Sequence, residues 1–518
     1  MNLRYAVLTC AALCAVLSTE AQISFGGQPR GLSKLQLPDA PVAVMPQVDA
    51  VALMAEDEAR IQAGIKGPYR FGFNHATDLT LENSGIWTEL ANGDRVWRIA
   101  IECPAAYSIN FEFHEYVVPA GAEVFVYNGP GEVLGAFTAE SNPGRSELGV
   151  TQLAGDRITI EYVEPAAVRE QGRLRVGQVT HAYRDIMGLT KGLGDSGTCN
   201  NNVICPVGDP WRAQIRSVAM ITVGGSGLCT GQLINNCEND GTPYFLTANH
   251  CLGGSNTWVF RFNWNSPSCT QNQNGPTNQT VSGSQLLANS GGSDVALLRL
   301  NTTPPASYNV FYTGWDKSGT APTASTAIHH PSGDVKKISF DNNAAVNGTF
   351  SGAQCWRILN WEDGTTEGGS SGSGLWNQNG LLIGQLFGGQ ASCSNNVNDY
   401  YGKFNVSYPL LEQWLGTCGN TLQGYPQTVG IDEASTLGRI QLFPNPTNGT
   451  FTVELPAAMT KGGRILVHDA LGQLVVEQNL AAGVERSVFD LSGRSEGLYF
   501  VSVLMGAQRS VERLVLTR

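Results

Sequence analysis

The chain has 518 residues, a length that predicts several domains, since most domains contain roughly 100–200 residues. Only 15% of the residues are Asp, Glu, Lys or Arg, against about 25% in an average protein, while 61 are glycine, which favours a secreted, loop-rich β-protein. The net charge of −12 argues against a phosphate-binding surface, and the hydrophobic content of 42% excludes a wholly disordered chain.

Residues 1–21 have the pattern of a secretory signal peptide. Arg4 precedes an apolar stretch at 6–17, and polar and small residues follow up to Ala21. The stretch is shorter than the ~20 residues needed to cross a bilayer, so a cleaved signal is favoured over an uncleaved anchor helix. No later apolar run is long enough either. We therefore expect an exported protein, in a compartment where disulfide bonds persist, with no membrane span in its mature form.

Residues 22–66 mix Pro, Gly, Ala and acidic residues around one helical stretch at 48–61, and we interpret them as a leader or linker. Between residues 67 and 191, short alternating runs such as VWRIAIE and AEVFVYN are separated by turn signals. Period-two alternation with evenly spaced turns predicts a β-sandwich. This block gathers no catalytic residue types, so it is either a binding module or a pro-domain.

Residues 192–418 form a third block that is rich in Gly, Asn and Ser. Its cysteines are Cys199, Cys205, Cys229, Cys237, Cys251, Cys269, Cys355, Cys393 and Cys418. Their clustering predicts a separate disulfide-stapled domain, and the lack of C-x-x-C pairs argues against a metal centre. The block ends in a predicted helix with Leu411, Trp414 and Leu415 on one face. A linker at 419–436 leads to a small strand-rich block at 437–518.

Three segments of the third block carry candidate catalytic residues. His250 follows an apolar strand, Asp294 begins a second strand, and Ser371 lies in the glycine-rich turn TEGGSSGS. Each alone has an ordinary structural interpretation: a satisfied polar residue, a strand cap and a flexible loop. Together they supply what acyl transfer by serine requires, namely a hydroxyl, an imidazole that accepts its proton, and a carboxylate that orients the imidazole.

The glycine-rich turn also offers donors for an oxyanion. Glycine permits backbone angles that turn successive N–H groups toward one point, so we expect the N–H groups of Gly369 and Ser371 to form an oxyanion hole. Ser370 is the alternative nucleophile, but the Gly-x-Ser-Gly frame selects Ser371.

The chain order His, Asp, Ser and the Gly-x-Ser-Gly core resemble the chymotrypsin-fold serine peptidases. Within that group, the motifs YFLTANHC, HHPSGDVKKIS, TEGGSSGS and DYYGKF resemble the bacterial lysyl endopeptidases, over about residues 192–418. The resemblance implies an all-β fold with two six-stranded β-barrels of chymotrypsin type. It also implies that His250 is the general base, Asp294 its orienting carboxylate and Ser371 the nucleophile.

The same resemblance assigns a specificity pocket. Asp399 corresponds to the family's S1 aspartate, which pairs with a cationic substrate side chain, and Phe387 and Gly388 would line the pocket. The family has a histidine where this chain has Phe387. The resemblance therefore implies cleavage after lysine but leaves selectivity for lysine over arginine open. An exposed loop carboxylate is the alternative interpretation of Asp399.

The family's disulfide framework implies three pairs, which are Cys199 with Cys393, Cys205 with Cys269, and Cys229 with Cys251. Cys237, Cys355 and Cys418 remain, so at least one of them is free or paired elsewhere. His329 and His330 have no clear third ligand in the sequence, so a metal site is not favoured. The chemistry needs no cofactor, and we expect none.

The junction before the third block reads Lys191-Gly192. A precursor whose junction ends in lysine can be cut by an enzyme that prefers lysine, so we hypothesise self-processing after Lys191, with the preceding β-rich block as a pro-domain. The last block, with LFPNPTNGTF and GLYFVSV, resembles the C-terminal sorting domains of bacterial type IX secretion. A small immunoglobulin-like binding domain is the alternative for that block.

These observations predict a secreted serine endopeptidase that cleaves after lysine, with arginine left open, and that is made as a zymogen. We expect protein or peptide substrates, a contact of the C-terminal β-sandwich with the outer-membrane secretion machinery, no nucleic-acid partner and a monomer. The expected location is extracellular or on the cell surface, after export through the periplasm. The alternatives are a catalytically silent adhesin that uses the same block as a binding surface, and a serine peptidase of different specificity.

Overall fold

A computed structural model describes residues 26–33, 35–63, 65, 67–129, 132–186, 188, 196–269, 273–427, 440–455, 463–469, 474–481, 483–505 and 508–517. The chain divides into two compact units, Met1–Gln427 and Thr428–Arg518. The predicted signal peptide and the predicted processing site at Lys191 and Gly192 lie outside the described residues. Within those ranges, no helix combines the length and apolar character needed to cross a membrane.

The N-terminal part of the larger unit is built mainly from strands. Its elements are β1 (Val42–Val44), α1 (Ala50–Gln62), β2 (Tyr69–Arg70), β3 (Gly72–Thr80), β4 (Ile86–Glu89), β5 (Arg95–Glu102), β6 (Ser108–Val117), β7 (Glu123–Gly129), β8 (Glu132–Phe137), β9 (Leu148–Ala154), β10 (Arg157–Glu164) and β11 (Arg173–Ala182).

Most of these strands form a two-sheet sandwich. One sheet has the order β1-β5-β10-β7-β8, with β4 added on β5, and the other has the order β3-β11-β6-β9. Both sheets face one apolar core, in which Trp97 and Ile160 of the first sheet meet Phe111 and Val179 of the second, all at most 1% exposed. Burial of these apolar faces stabilises the sandwich.

The segment predicted as a leader or linker is attached to this sandwich. β1 pairs in parallel with β5, with Val42 opposite Ala100. The helix α1 is capped by Asp49, and its Asp57 accepts hydrogen bonds from Arg70 Nε and the Tyr183 hydroxyl, both at 2.7 Å. Residues 42–62 are therefore held by the domain that follows them.

The second part of the larger unit contains the remaining strands and two helices of that unit. They are β12 (Asn201–Asn202), α2 (Arg212–Ile215), β13 (Val218–Val223), β14 (Gly227–Leu233), β15 (Tyr244–Ala248), β16 (Val259–Phe262), β17 (Thr280–Ser282), β18 (Ser284–Ser290), β19 (Val295–Leu300), β20 (Phe311–Tyr312), β21 (Trp315–Asp316), β22 (Ser325–His329), β23 (Lys337–Asp341), β24 (Val346–Phe350), β25 (Ala353–Asn360), β26 (Gly374–Asn377), β27 (Leu382–Gly389), β28 (Val397–Lys403), α3 (Phe404–Leu415), β29 (Thr421–Leu422) and β30 (Tyr425–Pro426).

Two large sheets dominate this part. The first has the order β17-β16-β13-β14-β15-β19-β18 and is joined by β2 on β14, which makes eight strands. The second has the order β12-β23-β22-β26-β27-β28-β25-β24 and includes β21 and β29, which makes ten. The all-β class is confirmed. Each sheet has more strands than the six that the resemblance implies, because short strands and the N-terminal β2 join it.

The helix α3 and two of the disulfides, Cys205–Cys269 and Cys237–Cys418, connect segments of the two sheets. Leu411 and Leu415 are buried, as the predicted helix face requires, in a core shared with both sheets. The structure contains the disulfides Cys199–Cys393, Cys205–Cys269, Cys229–Cys251 and Cys237–Cys418. The last pair answers one question that the sequence left open. Among the described residues, Cys103 and Cys355 are the free cysteines, and both are buried.

The smaller unit is a second sandwich. Its strands are β31 (Gln441–Phe443), β32 (Thr450–Glu454), β33 (Gly463–Asp469), β34 (Leu474–Leu480), β35 (Arg486–Asp490), β36 (Gly497–Met505) and β37 (Gln508–Leu516). The sheets β31-β32-β35 and β34-β33-β36-β37 enclose one core that includes Phe451, Val467 and Val501.

Basic side chains are buried in the interior of the larger unit. Lys336 is 0% exposed, and its Nζ donates to the Ile215 carbonyl oxygen at 2.8 Å. His329 lies between the hydroxyls of Ser370 and Ser339, at 2.8 and 3.1 Å. Since burial disfavours the charged forms, it lowers the pKa of Lys336 to about 7 and the pKa of His329 to about 3.

We expect the free energy of unfolding to rise between pH 7 and pH 9. Over this range the unfolded chain binds a proton at Lys336, whose ordinary pKa is 10.5, and the folded chain does not. The contribution is a few kcal/mol, since one pKa unit corresponds to about 1.4 kcal/mol. Denaturant unfolding measures it, on a Ser371→Ala chain because the sequence predicts Ser371 as the nucleophile. Lys336→Met should remove this rise, and a rise that persists unchanged in Lys336→Met would assign it to other groups.

Candidate active site

His250 and Asp294 come together at one end of a strand pair. β15 and β19 are antiparallel neighbours with Ala248 opposite Val295, so the residue before β19 lies beside the 3₁₀ turn Asn249–Cys251 that follows β15. The Asp294 carboxylate accepts two hydrogen bonds from His250. The backbone N–H donates to Oδ1 at 3.0 Å, and Nδ1 donates to Oδ2 at 2.7 Å.

The hydrogen bond between Nδ1 and the Asp294 carboxylate decides which imidazole nitrogen can act as a base. Asp294 is 1% exposed, and burial raises the pKa of its carboxyl, an effect opposed by the hydrogen bonds from His250. An ionised carboxylate can only accept hydrogen bonds, so Nδ1 carries the ring hydrogen. The Nε2 atom is then the basic nitrogen of His250.

Ser371 is held beside the His250 turn by the first sheet. The N–H of Thr230, on β14, donates to the Ser371 carbonyl oxygen at 2.8 Å. The Cys229–Cys251 disulfide joins β14 to the turn, and Cys251 Sγ lies 3.9 Å from the same oxygen. Ser371 is partly exposed and lines a cleft of about 380 Å³. The structure therefore brings the three predicted catalytic residues into one region.

The neighbouring Ser370 is occupied in a different way. It is fully buried, its hydroxyl lies 2.8 Å from His329 Nδ1, and it accepts the N–H of Glu367 at 3.2 Å. The adjacent His330 turns elsewhere, stacking on Trp264 at 5.7 Å between ring centroids. The two histidines therefore face different partners, and His329 supports the turn that carries Ser371.

The predicted oxyanion donors have the required freedom. Among the described residues, neither the N–H of Gly369 nor that of Ser371 has a hydrogen-bond acceptor, whereas the N–H groups of Ser370, Gly372 and Ser373 donate to carbonyl oxygens. Gly369 has a φ of +90°, a conformation that favours glycine. Two unpaired donors beside a partly exposed serine match what an oxyanion hole requires.

Asp399 is a buried carboxylate of the second sheet. It lies on β28 and is 1% exposed, and its Oδ2 accepts hydrogen bonds from Trp361 Nε1 at 2.7 Å and from the Thr366 hydroxyl at 2.6 Å. A Cβ on Gly389 would lie 2.2 Å from Oδ1, so only glycine allows the strand to approach this closely. Asp399 is thus not an exposed loop carboxylate, and its contact with substrate stays a prediction.

Phe387 lies against His250. Its ring stacks on the His250 ring, with centroids 5.6 Å apart and an interplanar angle of 23°, and Phe350 meets it edge-on at 5.1 Å. Gly388, the next residue, pairs with Tyr400 of β28. That Phe387 and Gly388 line a substrate pocket stays a prediction. The stacking of Phe387 on His250 is a contact that the sequence does not indicate.

An N-terminal segment borders the cleft. β2 pairs antiparallel with β14, with Tyr69 opposite Leu228. The Tyr69 ring covers Gly368, since a Cβ on that glycine would lie 2.8 Å from Tyr69 Cδ2. Ile61 and Pro68 line the same cleft as Ser371. No local pattern indicates this contact, because β2 is only two residues long.

Comparison with known proteins places these residues in a family. The lysyl endopeptidase of Pseudomonas aeruginosa is 30% identical to this chain over 372 residues, which cover 64% of this chain and 77% of the relative. The chain belongs to the lysyl endopeptidase family. The family model described as lysyl endopeptidase, C-terminal domain, matches residues 193–402, and the secretion system C-terminal sorting domain matches residues 441–517. The predictions of a serine endopeptidase and of a type IX sorting domain are confirmed.

The sequence identities to solved structures are lower than the identity to this relative. A Glu endopeptidase structure is 18% identical with a TM-score of 0.29, covering 43% of this chain and 97% of its own. The MamO protease domain from Magnetospirillum magneticum is 13% identical with a TM-score of 0.27, covering 38% of this chain and 97% of its own.

The different environments of Ser370 and Ser371 predict different effects of substitution. Ser371→Ala should abolish labelling by a fluorophosphonate, whereas Ser370→Ala should keep it. Ser370→Ala leaves His329 Nδ1 and the Glu367 N–H without a partner, so its free energy of unfolding should fall by about 1–3 kcal/mol. Labelling and denaturant unfolding measure the two effects. A folded Ser370→Ala protein that no longer reacts would reverse the assignment of the nucleophile.

Proposed function

We propose that this secreted serine endopeptidase cleaves peptide bonds after lysine through an acyl-enzyme and is made as a zymogen. The observation that carries the proposal is the pair of hydrogen bonds from His250 to Asp294, beside a partly exposed Ser371. The two N–H groups without an acceptor in the described residues supply the remaining requirement, stabilisation of an oxyanion.

The proposed reaction follows from these positions. His250 Nε2 accepts the Ser371 hydroxyl proton while Oγ attacks the carbonyl carbon of the scissile bond, and the N–H groups of Gly369 and Ser371 bind the oxyanion. His250 then donates the proton to the leaving amine, and the C–N bond breaks to leave an ester of Ser371. Water, activated by His250, hydrolyses the ester. Asp294 stabilises the imidazolium in both halves.

Two observations support the proposed lysine specificity, the buried carboxylate of Asp399 and the similarity to the lysyl endopeptidase of Pseudomonas aeruginosa. The Asp399 carboxylate is fixed by Trp361 and Thr366, and Thr366 lies only five residues before Ser371 in the same loop. A carboxylate held in this way would pair with a substrate ammonium group inside a dry pocket. A substrate without the cation would forgo this attraction in the transition state, and it would be cleaved more slowly for that reason.

Matched peptides that differ only in Lys, Arg or Glu before the scissile bond test this specificity. We expect kcat/KM for the Lys peptide to exceed that for the Glu peptide by about 10⁴-fold, because a glutamate side chain would bring a second negative charge close to Asp399. Asp399→Asn should lower kcat/KM for the Lys peptide by about 100-fold. Fluorophosphonate labelling of Ser371 should be unchanged and serves as the control for an intact active site. Preference for Glu would overturn the role of Asp399.

The zymogen is proposed from the contacts of the N-terminal sandwich with the cleft. β2 adds to the edge of β14, and Tyr69 covers Gly368 in the turn that carries the nucleophile. The guanidinium of Arg184 lies 5.3 Å over the Tyr69 ring, and Asp57 accepts a hydrogen bond from Arg184 at 2.9 Å. We infer that this cluster keeps Tyr69 on the turn and blocks extended substrates until the chain is cut after Lys191.

Variants of the uncut chain test this blockade. In a Lys191→Gln chain, Ser371 should react with a peptide-based serine reagent much more slowly than in the processed wild type. Adding Tyr69→Ala should raise the rate of the Lys191→Gln chain about tenfold, since an aromatic side chain packed at a contact surface is worth more than 1 kcal/mol. Phe73→Ala, which removes a ring that is 40% exposed on β3, is the matched control and should change nothing. A Lys191→Gln chain that is still cut, or equal rates in both variants, would contradict the proposal.

The sorting domain gives the route of export. We propose that the unit beyond residue 427 is handed to the outer-membrane secretion machinery and that the enzyme acts outside the cell or on its surface. The match to the secretion sorting model and the four disulfides of the larger unit support an extracellular location.

A further inference from the structure

The turn that presents Asp294 belongs to one sheet and is held by the other. It connects β18 to β19 in the eight-stranded sheet. Its Gly292 carbonyl oxygen accepts the N–H of Gln354, on β25, at 3.0 Å. Its Ser293 carbonyl oxygen lies so close to Gly402, on β28, that a Cβ there would be only 1.7 Å away. The position of the catalytic carboxylate therefore depends on contacts with the ten-stranded sheet.

Gln385 makes the most direct of these contacts. It lies on β27 and is 0% exposed, and its Nε2 donates to the carbonyl oxygens of Ser293 at 2.7 Å and of Asp294 at 3.2 Å. The next residue, Leu386, donates its N–H to the carbonyl oxygen of Ser373 at 2.8 Å. Adjacent residues of β27 therefore hold the turn of the acid and the turn of the nucleophile.

The backbone of Asp294 needs such support. Its φ is +53°, in the left-handed region that residues other than glycine rarely adopt. This conformation lets both carboxylate oxygens meet His250, one at the backbone N–H and one at Nδ1. Two hydrogen bonds from Gln385 to the flanking carbonyl oxygens favour this conformation over the relaxed alternatives.

We propose that Gln385 is a positioning residue of the peptidase, which sets the Asp294 carboxylate against His250 in register with Ser371. This inference rests on the proposed function, because it assigns Gln385 a role only if His250 and Asp294 act in the reaction. Gln385 itself touches neither substrate nor the reacting atoms.

Gln385→Met tests the proposal, because it keeps the length of the side chain and removes the amide donor. We expect kcat for a lysyl peptide to fall by about 100-fold with KM unchanged, the effect of a small misplacement of a catalytic group. The acidic limb of the pH profile of kcat/KM should move to lower pH, since a displaced carboxylate stabilises the imidazolium less. Gln385→Asn, which keeps an amide on a shorter chain, is the second variant if Gln385→Met does not fold.

Gln232→Met is the matched control. Gln232 is also 0% exposed, and its Nε2 donates to one backbone carbonyl oxygen, that of Leu246, at 3.1 Å. Among the described residues, the Oε1 atoms of Gln232 and Gln385 both lack a hydrogen-bond partner. The two substitutions should therefore lower the thermal stability similarly, while only Gln385→Met changes the pH profile.

The outcomes separate this inference from the function it rests on. A shifted profile with a lower kcat in Gln385→Met, and an unshifted one in Gln232→Met, supports positioning. A folded Gln385→Met with the wild-type profile and kcat, or the same shift in both variants, overturns it. A wild-type protein that hydrolyses no lysyl peptide would instead reject the proposed function.

Discussion

The pair of hydrogen bonds between His250 and Asp294 is the contact on which the active site depends. The pairing of β15 with β19 brings the two residues together, and contacts with the second sheet hold the turn that carries Asp294. The eight-stranded sheet supplies both residues, while Gly402 and Gln385 of the ten-stranded sheet receive the turn before β19. A shift of one sheet against the other would therefore change the positions of Asp294 and Ser371 together.

The contacts between the N-terminal sandwich and the first sheet include hydrogen bonds from a buried arginine to neutral side chains. Arg261 of β16 is 1% exposed, and its Nη2 donates to Thr151 Oγ1 and Gln152 Oε1, both at 2.7 Å. Both partners are neutral, and burial lowers the pKa of Arg261 to about 10. Separation of the domains would return this cation to water without leaving a carboxylate unpaired. For the proposed zymogen, this contact therefore adds no unpaired buried carboxylate to the cost of releasing the N-terminal sandwich.

The sequence predicts those features of the site and fold whose signal is contained in a few consecutive residues. The strand before His250, the glycine-rich turn of Ser371 and the helix with Leu411 and Leu415 are each visible in a few residues. The contacts of Tyr69 with Gly368, of Phe387 with His250 and of Gln385 with the turn of Asp294 join segments that are distant in sequence. The parallel pairing of β1 with β5 and the Cys237–Cys418 disulfide are of the same kind. Neither periodicity nor spacing carries information about them.

The aromatic residue beside His250, Phe387, increases the importance of the Asp294 carboxylate. A phenyl ring stacked on His250 excludes water from one face of the imidazole, but it offers no hydrogen bond and no charge. Phe350 and the buried thiol of Cys355 pack against Phe387. The thiol is also uncharged at neutral pH, because burial raises its pKa to about 12. In the proposed reaction, stabilisation of the imidazolium by a neighbouring charge then falls to Asp294. In this chain the accuracy with which the second sheet holds that residue should matter correspondingly more.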